Sequence, residues 1–296
     1  MEQVNSLSLS DNALRQQIDA TAAWRHYRSV RDTACAYSCG QYWKREGAYV
    51  YLIQTRAGNV QERLGRRSPD TEALHARFLK ERAAVQSRLQ SISRSLQEHE
   101  RLNKALRVGY APRLLVELLA AVDDAALGSQ LLVIDDCALF VFEQTAGVRL
   151  SIPSVMNSPQ TGVSFLACKG LSAQAFGALL VKVDKSFKLV SAKNDRHHWA
   201  NKQKFTMTLH GTPPLEDRWA YQEPVFQGPV VSRTGRIALM RTLRPSAFIA
   251  LKRALVSVQP HAAAQADFVE GLLENYAISE PFVGPVLPSY MRVLGS

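Results

Sequence analysis

The chain has 296 residues, 46% hydrophobic and 21% charged, with a formal net charge of +10. That supplies apolar material for a sizeable core in one large domain or two. No stretch approaches the roughly 18 to 20 uninterrupted apolar residues that span a bilayer, and the first residues lack the basic start and apolar block of a signal peptide, so a soluble cytoplasmic protein without membrane association is expected.

In chain order, residues 11 to 39 read as mostly helix, with Asp11 as N-cap and Leu14, Ile18 and Ala22 marking an apolar side. Cys35 and Cys39 fall on one face of it. With no second Cys pair or Cys-His set at ligand spacing nearby, the four cysteines (Cys35, Cys39, Cys137, Cys168) are expected as packed reduced thiols, not zinc ligands. Residues 48 to 54 are rich in β-formers and read as a strand ended by a turn at Arg56 to Asn59. Ser68-Pro69-Asp70-Thr71-Glu72 is a helix start, with a Ser cap, Pro at the first position and acids in the first turn.

The helix that follows carries a heptad pattern. Phe78, Val85 and Ile92 are seven apart, and Leu89 and Leu96 fill the second seam position before His99 and Asn103 interrupt it. The seam can pack against a neighbouring helix of the same chain, or pair two copies as a homodimer through residues 74–106. Gly109 to Pro112 ends this helix and Arg113 to Ala126 forms another. From Leu131 strands and helices alternate: LLVID, the helix ALFVFEQTAG, VRLSI, VSFLA, a helix over 171–183, strands at 204–210, 225–231 and 236–242, then helices at 245–258 and 262–276. That order predicts an α/β fold with a mixed sheet, an N-terminal helical arm and C-terminal helices. The expected divisions are 1–112 (helical, with a short strand and the long basic helix), 113–242 (α/β core), 243–277 (helices) and 278–296 (an irregular tail).

The segment 131–150 carries a resemblance. Ala138, Leu139, Phe142, Glu143, Ala146, Gly147 and Val148 follow an apolar strand and a two-residue turn. Upstream stand Trp43-Lys44, Leu64-Gly65-x-Arg67-Ser68-Pro69-x-Thr71-Glu72-Ala73-Leu74 and Leu102 to Leu106. Downstream are Gly235 to Arg241, Pro245-x-x-Phe248-x-x-x-Lys252, Gln265-Ala266 and Leu272-Leu273. Together, over residues 40 to 277, these resemble an uncharacterised bacterial branch of the DNA polymerase beta-like nucleotidyltransferase superfamily. The resemblance implies a nucleotidyltransferase-like core from about 113 to 242.

That chemistry needs three carboxylates around two divalent cations, which activate the attacking hydroxyl and stabilise the leaving pyrophosphate. Two of the acids come as Asp-x-Asp on one strand, where side chains two apart face the same way. The third comes from a neighbouring strand, and a Gly-Ser turn lets the backbone approach the phosphates. Here Asp135-Asp136 stand at the turn, Gly162 and Ser164 at the Asp-x-Asp places, and Thr206 and Thr208 on the third strand. No Asp or Glu occurs from Leu150 to Val183. Asp135 and Asp136 are adjacent and would point to opposite faces of a strand. Asp184 and Asp195 read as turn residues, and His197-His198 lie in the polar run KNDRHHWANKQK, expected as a loop.

Charge is uneven: from Arg56 to Arg113 there are 13 Arg or Lys against 6 Asp or Glu, a surplus of +7. This reads either as a solvated helix surface or as a site for nucleic acid or an acidic protein. Arg63, Arg66, Arg67, Arg77, Arg82, Arg88 and Arg94 are expected on or beside the long helix. Arg66, Arg67, Arg77, Arg88, Arg241 and Lys252 are the candidate contacts to phosphate or nucleic acid. The expected function is a catalytically inactive nucleotidyltransferase-fold protein, with no cofactor, acting as a binding or regulatory partner. One alternative is an active enzyme using Mg²⁺ with unusual ligands. Another is a basic nucleic-acid-binding protein, in which Trp24, Tyr27, Tyr37, Tyr42, Trp43 and Tyr49, interleaved with Arg and Lys, either stack bases or fill a core.

Overall fold

The structure, a computed structural model, describes residues 6–150, 162–168, 171–193, 195–211, 225–259, 261–276 and 278. In chain order these form β1 (Ser6–Ser8), α1 (Asp11–Ala36), β2 (Gln41–Glu46), β3 (Tyr49–Thr55), β4 (Gln61–Arg66), α2 (Pro69–Ala105), α3 (Arg113–Asp124), β5 (Leu131–Val133), α4 (Leu139–Ala146), β6 (Val148–Leu150), β7 (Gly162–Ala167), α5 (Ala173–Val183), β8 (Lys188–Lys193), β9 (Arg196–Ala200), β10 (Thr206–His210), β11 (Phe226–Val231), β12 (Ile237–Thr242), α6 (Pro245–Ala254) and α7 (Ala262–Asn275). The fold is mixed α/β. Among the described residues no helix is long and apolar enough to cross a membrane. The expected tail, apart from Ile278, lies outside the described residues.

Two compact units divide the chain: residues up to 17 with those from 101 onward, and residues 18–100. The boundary expected at 112 therefore shifts, because the first turns of α1 belong with the α/β unit. Gln16 Nε2 donates to Asn103 Oδ1 at 3.0 Å, Asn103 Nδ2 to the Gly235 carbonyl at 3.0 Å, and Gln17 Nε2 to the Gln144 carbonyl at 2.5 Å. Asn103, a polar break in the heptad pattern, is thus buried and hydrogen-bonded, as a buried amide must be.

In the α/β unit a seven-stranded mixed sheet runs in the order β11-β12-β5-β7-β10-β9-β8. β7 lies between β5, antiparallel, and β10, parallel. β6 pairs with β1 in a separate two-stranded ribbon. Phe176 of α5 lies 5.4 Å from Phe165 of β7 and 5.3 Å from Trp199 of β9, so α5 covers the side of the sheet to which these rings point. α4 ends at Gly147, whose φ of +67 is a left-handed cap that glycine adopts without strain.

In the other unit a three-stranded antiparallel sheet, β2-β3-β4, replaces the single short strand expected there. One heptad residue of α2, Phe78, meets Tyr37 just beyond the end of α1. The Tyr37 ring is tilted against Phe78 at 5.8 Å and its hydroxyl donates to Glu81, while Arg88 reaches His26. These contacts run in opposite directions along the two helices. The start of α2 follows its sequence signal: Thr71 N donates to the Ser68 hydroxyl, and Ser68 N donates to the Thr71 hydroxyl.

The link between α2 and α3 depends on Gly109, where a Cβ would fall 2.1 Å from the Val231 carbonyl oxygen. That approach lets Ala111 N donate to Val231 O and Arg233 N to Ala111 O, both at 3.2 Å, joining the link to the end of β11. A Cβ on Gly128 would meet nothing within 4 Å. Gly109→Ala should therefore lower the unfolding free energy by roughly 1–3 kcal/mol, since the backbone must move. Gly128→Ala should leave it within about 0.5 kcal/mol. Urea denaturation of both variants checks the pair, and equal effects would contradict the packing described.

Candidate functional site

β7 and β10 bring the expected site positions into register. Gly162 pairs with Thr206 and Ser164 with Thr208, and Thr208 in turn pairs with His198 of β9. Side chains alternate along a strand, and Phe165 and Trp199 point towards α5. Ser164, Thr208 and His198 therefore line the side away from α5, with Thr206 and His210 in the same row of β10. The segment expected to be a loop around His197-His198 is instead the β8–β9 hairpin, turned through Asp195 in a left-handed conformation (φ +56). It escapes sequence reading because its pattern is polar, with Trp199 its one buried ring.

The row is electrically neutral. Thr208 Oγ1 and His198 Nδ1 are 2.9 Å apart, and the hydroxyl donates to the ring nitrogen when that nitrogen is unprotonated. Burial, with help from Arg196, holds His198 below its ordinary range. Burial, with Arg196 and His198 adding to it, pushes His210 down to about 4. The Thr206 hydroxyl occupies the space beside Gly162, where a Cβ would fall 2.1 Å from Thr206 Oγ1 and 3.0 Å from the Thr206 carbonyl oxygen. A side chain at 162 cannot enter without Thr206 turning its hydroxyl away.

Asp135 and Asp136 diverge as they leave β5. Asp135 caps a short 3₁₀ turn (Asp136–Ala138): its Oδ1 accepts from Cys137 N at 3.0 Å and its Oδ2 from Ser164 N at 2.5 Å. Burial is the largest influence on this carboxyl and, with the neighbouring charge of Asp136, outweighs the two amide donors and Lys252, so its pKa rises to about 7. Asp136 turns to Lys252 of α6 in an ion pair. The Lys252 side chain is 3% exposed and that of Asp136 25%.

Lys252 was a candidate phosphate contact. Its ammonium is buried against Asp136 and over the Phe248 ring at 5.3 Å, so it faces no external anion. Arg241 donates to the Gly128 carbonyl at 3.0 Å, from β12. Arg66 belongs to β4 and Arg67 to the turn after it, not to the long helix, and Arg63 likewise lies on β4. Arg67 pairs with Glu72, and Arg77, on α2, with Glu81. Asp184 accepts from Ser186 N and Asn201 Nδ2, which makes it a turn residue as expected. Cys137 and Cys168 are buried and outside any disulfide, whereas Cys35 is exposed and Cys39 half-buried.

A pair of divalent cations does not fit these positions. β7 and β10 present a glycine, a serine and two threonines, and both oxygens of Asp135 already accept from amides. Among the described residues no group of three or more His, Cys, Asp or Glu is arranged to hold a metal ion. The row can hydrogen-bond a neutral polar group, but it carries no charge to balance Mg²⁺. No family model matches the chain, and no curated protein and no solved structure matches it.

Removing one partner of a buried ion pair strands the other. Lys252 is the more deeply buried, so Asp136→Ala should destabilise by about 3–5 kcal/mol, and Lys252→Met by clearly less. The double variant should be more stable than the sum of the singles implies, which a double-mutant cycle by chemical denaturation reads directly. Asp135 is checked by carboxyl-carbon NMR: a resonance titrating near pH 7, absent in Asp135→Asn, is expected. Its folded-state pKa lies above its ordinary 3.8, so its contribution lowers stability as pH rises from about 4 to about 7. His210, pushed down from 6.5 to about 4, does the reverse between those values. The difference between wild type and Asp135→Asn isolates the carboxyl, and it should grow in favour of the variant as pH rises through that window.

Proposed function

We propose that the α/β unit is a nucleotidyltransferase-like scaffold without nucleotidyl-transfer chemistry, and that the protein acts as a binding or regulatory partner. One observation carries this reading: the in-register row of β7 and β10, where the carboxylates would have to stand, holds Gly162, Ser164, Thr206 and Thr208, with the Thr206 hydroxyl in the space beside Gly162. Asp135 does not replace the lost acids, because its carboxyl is buried, holds its proton up to about pH 7 and caps backbone amides. Asp136 is neutralised by Lys252. Such a site lacks the charge that binds two cations, and with it several kcal/mol of transition-state stabilisation.

The test is nucleotidyl transfer with each labelled ribonucleoside triphosphate, in Mg²⁺ or Mn²⁺, onto RNA, DNA or protein. No incorporation above the no-protein control is expected. Incorporation that vanishes in Asp135→Ala or Asp136→Ala would establish a rebuilt catalytic site and overturn the reading. A basic binding protein is the second reading, and the charge of the 18–100 unit favours it: 14 Arg or Lys against 9 Asp or Glu.

A further inference from the structure

The three-stranded sheet of the 18–100 unit has two unlike faces. Trp43 and Leu52 are cross-strand partners on one of them. There the Trp43 ring meets His75 of α2 at 5.6 Å, Leu52 is fully buried, and Gly65 approaches Thr71. By strand alternation and register the opposite face carries Tyr42 and Lys44 of β2, Tyr49, Tyr51 and the buried Ile53 of β3, and Arg63 and Arg66 of β4. Tyr42 is 38% and Tyr49 44% exposed, large values for aromatic rings on a sheet whose other face is covered.

The cations on this face lie over the rings. The Arg66 guanidinium carbon is 3.6 Å above the Tyr49 ring centre, and that of Arg63 is 4.2 Å above Tyr51. A guanidinium stacked in this way keeps its N–H groups around the rim of the stack, available to phosphate oxygens. The single acid on the face, Glu46, is shared between Lys44 and Arg63. From Gln41 to Arg67 there are 6 Arg or Lys against 2 Glu. Solvent-facing aromatics with planar cations beside them are what single-strand recognition uses: bases stack on rings or guanidinium planes while cations follow the backbone. A duplex hides its base faces and cannot use the rings.

We propose that this face, formed by Tyr42, Lys44, Tyr49, Tyr51, Arg63 and Arg66, binds single-stranded nucleic acid. The inference stands on the 18–100 unit alone and is independent of how the β7–β10 row is read. It also separates the aromatics that were grouped in the sequence: Trp24 is buried, Tyr27 is half-buried on α1, Tyr37 packs on Phe78 and Trp43 faces α2, leaving Tyr42 and Tyr49 on this face.

The experiment uses the full chain and a fluorescein-labelled oligonucleotide of about 12 nucleotides, within known single-strand site sizes, read by anisotropy. RNA and DNA versions should bind comparably, because stacking and phosphate contacts do not depend on the sugar, and the matched duplex should bind much more weakly. With about three phosphates neutralised, affinity should fall roughly 20-fold between 50 and 200 mM salt. Tyr49→Ala with Tyr51→Ala should weaken binding by at least about fivefold per ring, whereas Tyr49→Phe with Tyr51→Phe, which keeps both rings, should not. If the alanine variant loses its circular-dichroism spectrum, Arg63→Gln with Arg66→Gln decides. Weaker binding with a shallower salt dependence supports the assignment, and unchanged binding overturns it. No binding of single strands at about 100 μM protein, the weak end of non-specific affinities, also overturns it. So do equal affinity for duplex and single strand, unchanged binding by a folded alanine variant, and tighter binding of poly-glutamate than of the oligonucleotide.

Discussion

Two adjacent carboxylates at the end of β5 hold the α/β unit together around its candidate site. As the chain leaves Ile134 it turns sharply, and the two side chains part. Asp135 bridges the amides of Cys137 and Ser164, and so joins the turn before α4 to β7. Asp136 anchors Lys252, and with it α6. The turn fixes where α4 begins, and α4 places Phe142 between Phe226 of β11 and Phe248 of α6, at 4.9 and 5.4 Å. A carboxyl with so little solvent is favoured by neutralisation or pairing, and the two neighbours take one solution each.

The electrostatics of the site follow from that arrangement. The acids nearest the β7–β10 row are withdrawn into structural contacts, and the row is built of hydroxyls and two imidazoles held neutral by burial and Arg196. A neutral row beside a carboxyl that already caps two amides is a poor cation site, though it has donors and acceptors to offer a polar ligand. The net charge of +10 is shared equally between the units: residues 18–100 hold 14 Arg or Lys against 9 Asp or Glu, and the rest of the chain 22 against 17. The 18–100 unit is the shorter of the two and so the more densely basic, while the β7–β10 row lies in the other.

The strands differed in how well they could be read, and the reason is how polar each is: β11, an edge strand with an apolar pattern, was read as readily as the interior ones. β3, β5, β7, β10 and β12 are interior strands with apolar runs, and each was anticipated to within a few residues. β2 and β4, the edges of their sheet, read QYWKRE and QERLGR, while β8 at one edge of the large sheet and β9, interior beside it, read KLVSAK and RHHWA. Edge strands are partly solvated and tolerate charged and polar side chains, which also guard against edge-to-edge pairing. Their β character comes from pairing with the neighbouring strand of a hairpin, which a mostly polar composition does not announce.

By itself the sequence determined the elements whose signals are local: the capped start of α2, the heptad side of that helix, the alternating order after Leu131, the concentration of positive charge and the absence of acids along β7. Those depend on composition and spacing within a few residues. The tertiary structure alone decided which pairs meet. It set Ser164 opposite Thr208 and Thr208 opposite His198, put the Thr206 hydroxyl in the space beside Gly162, buried Lys252 against Asp136, and turned Tyr49, Tyr51, Arg63 and Arg66 to one face. Each of these joins residues on different strands or helices, and register and burial are settled by the packing of the whole sheet.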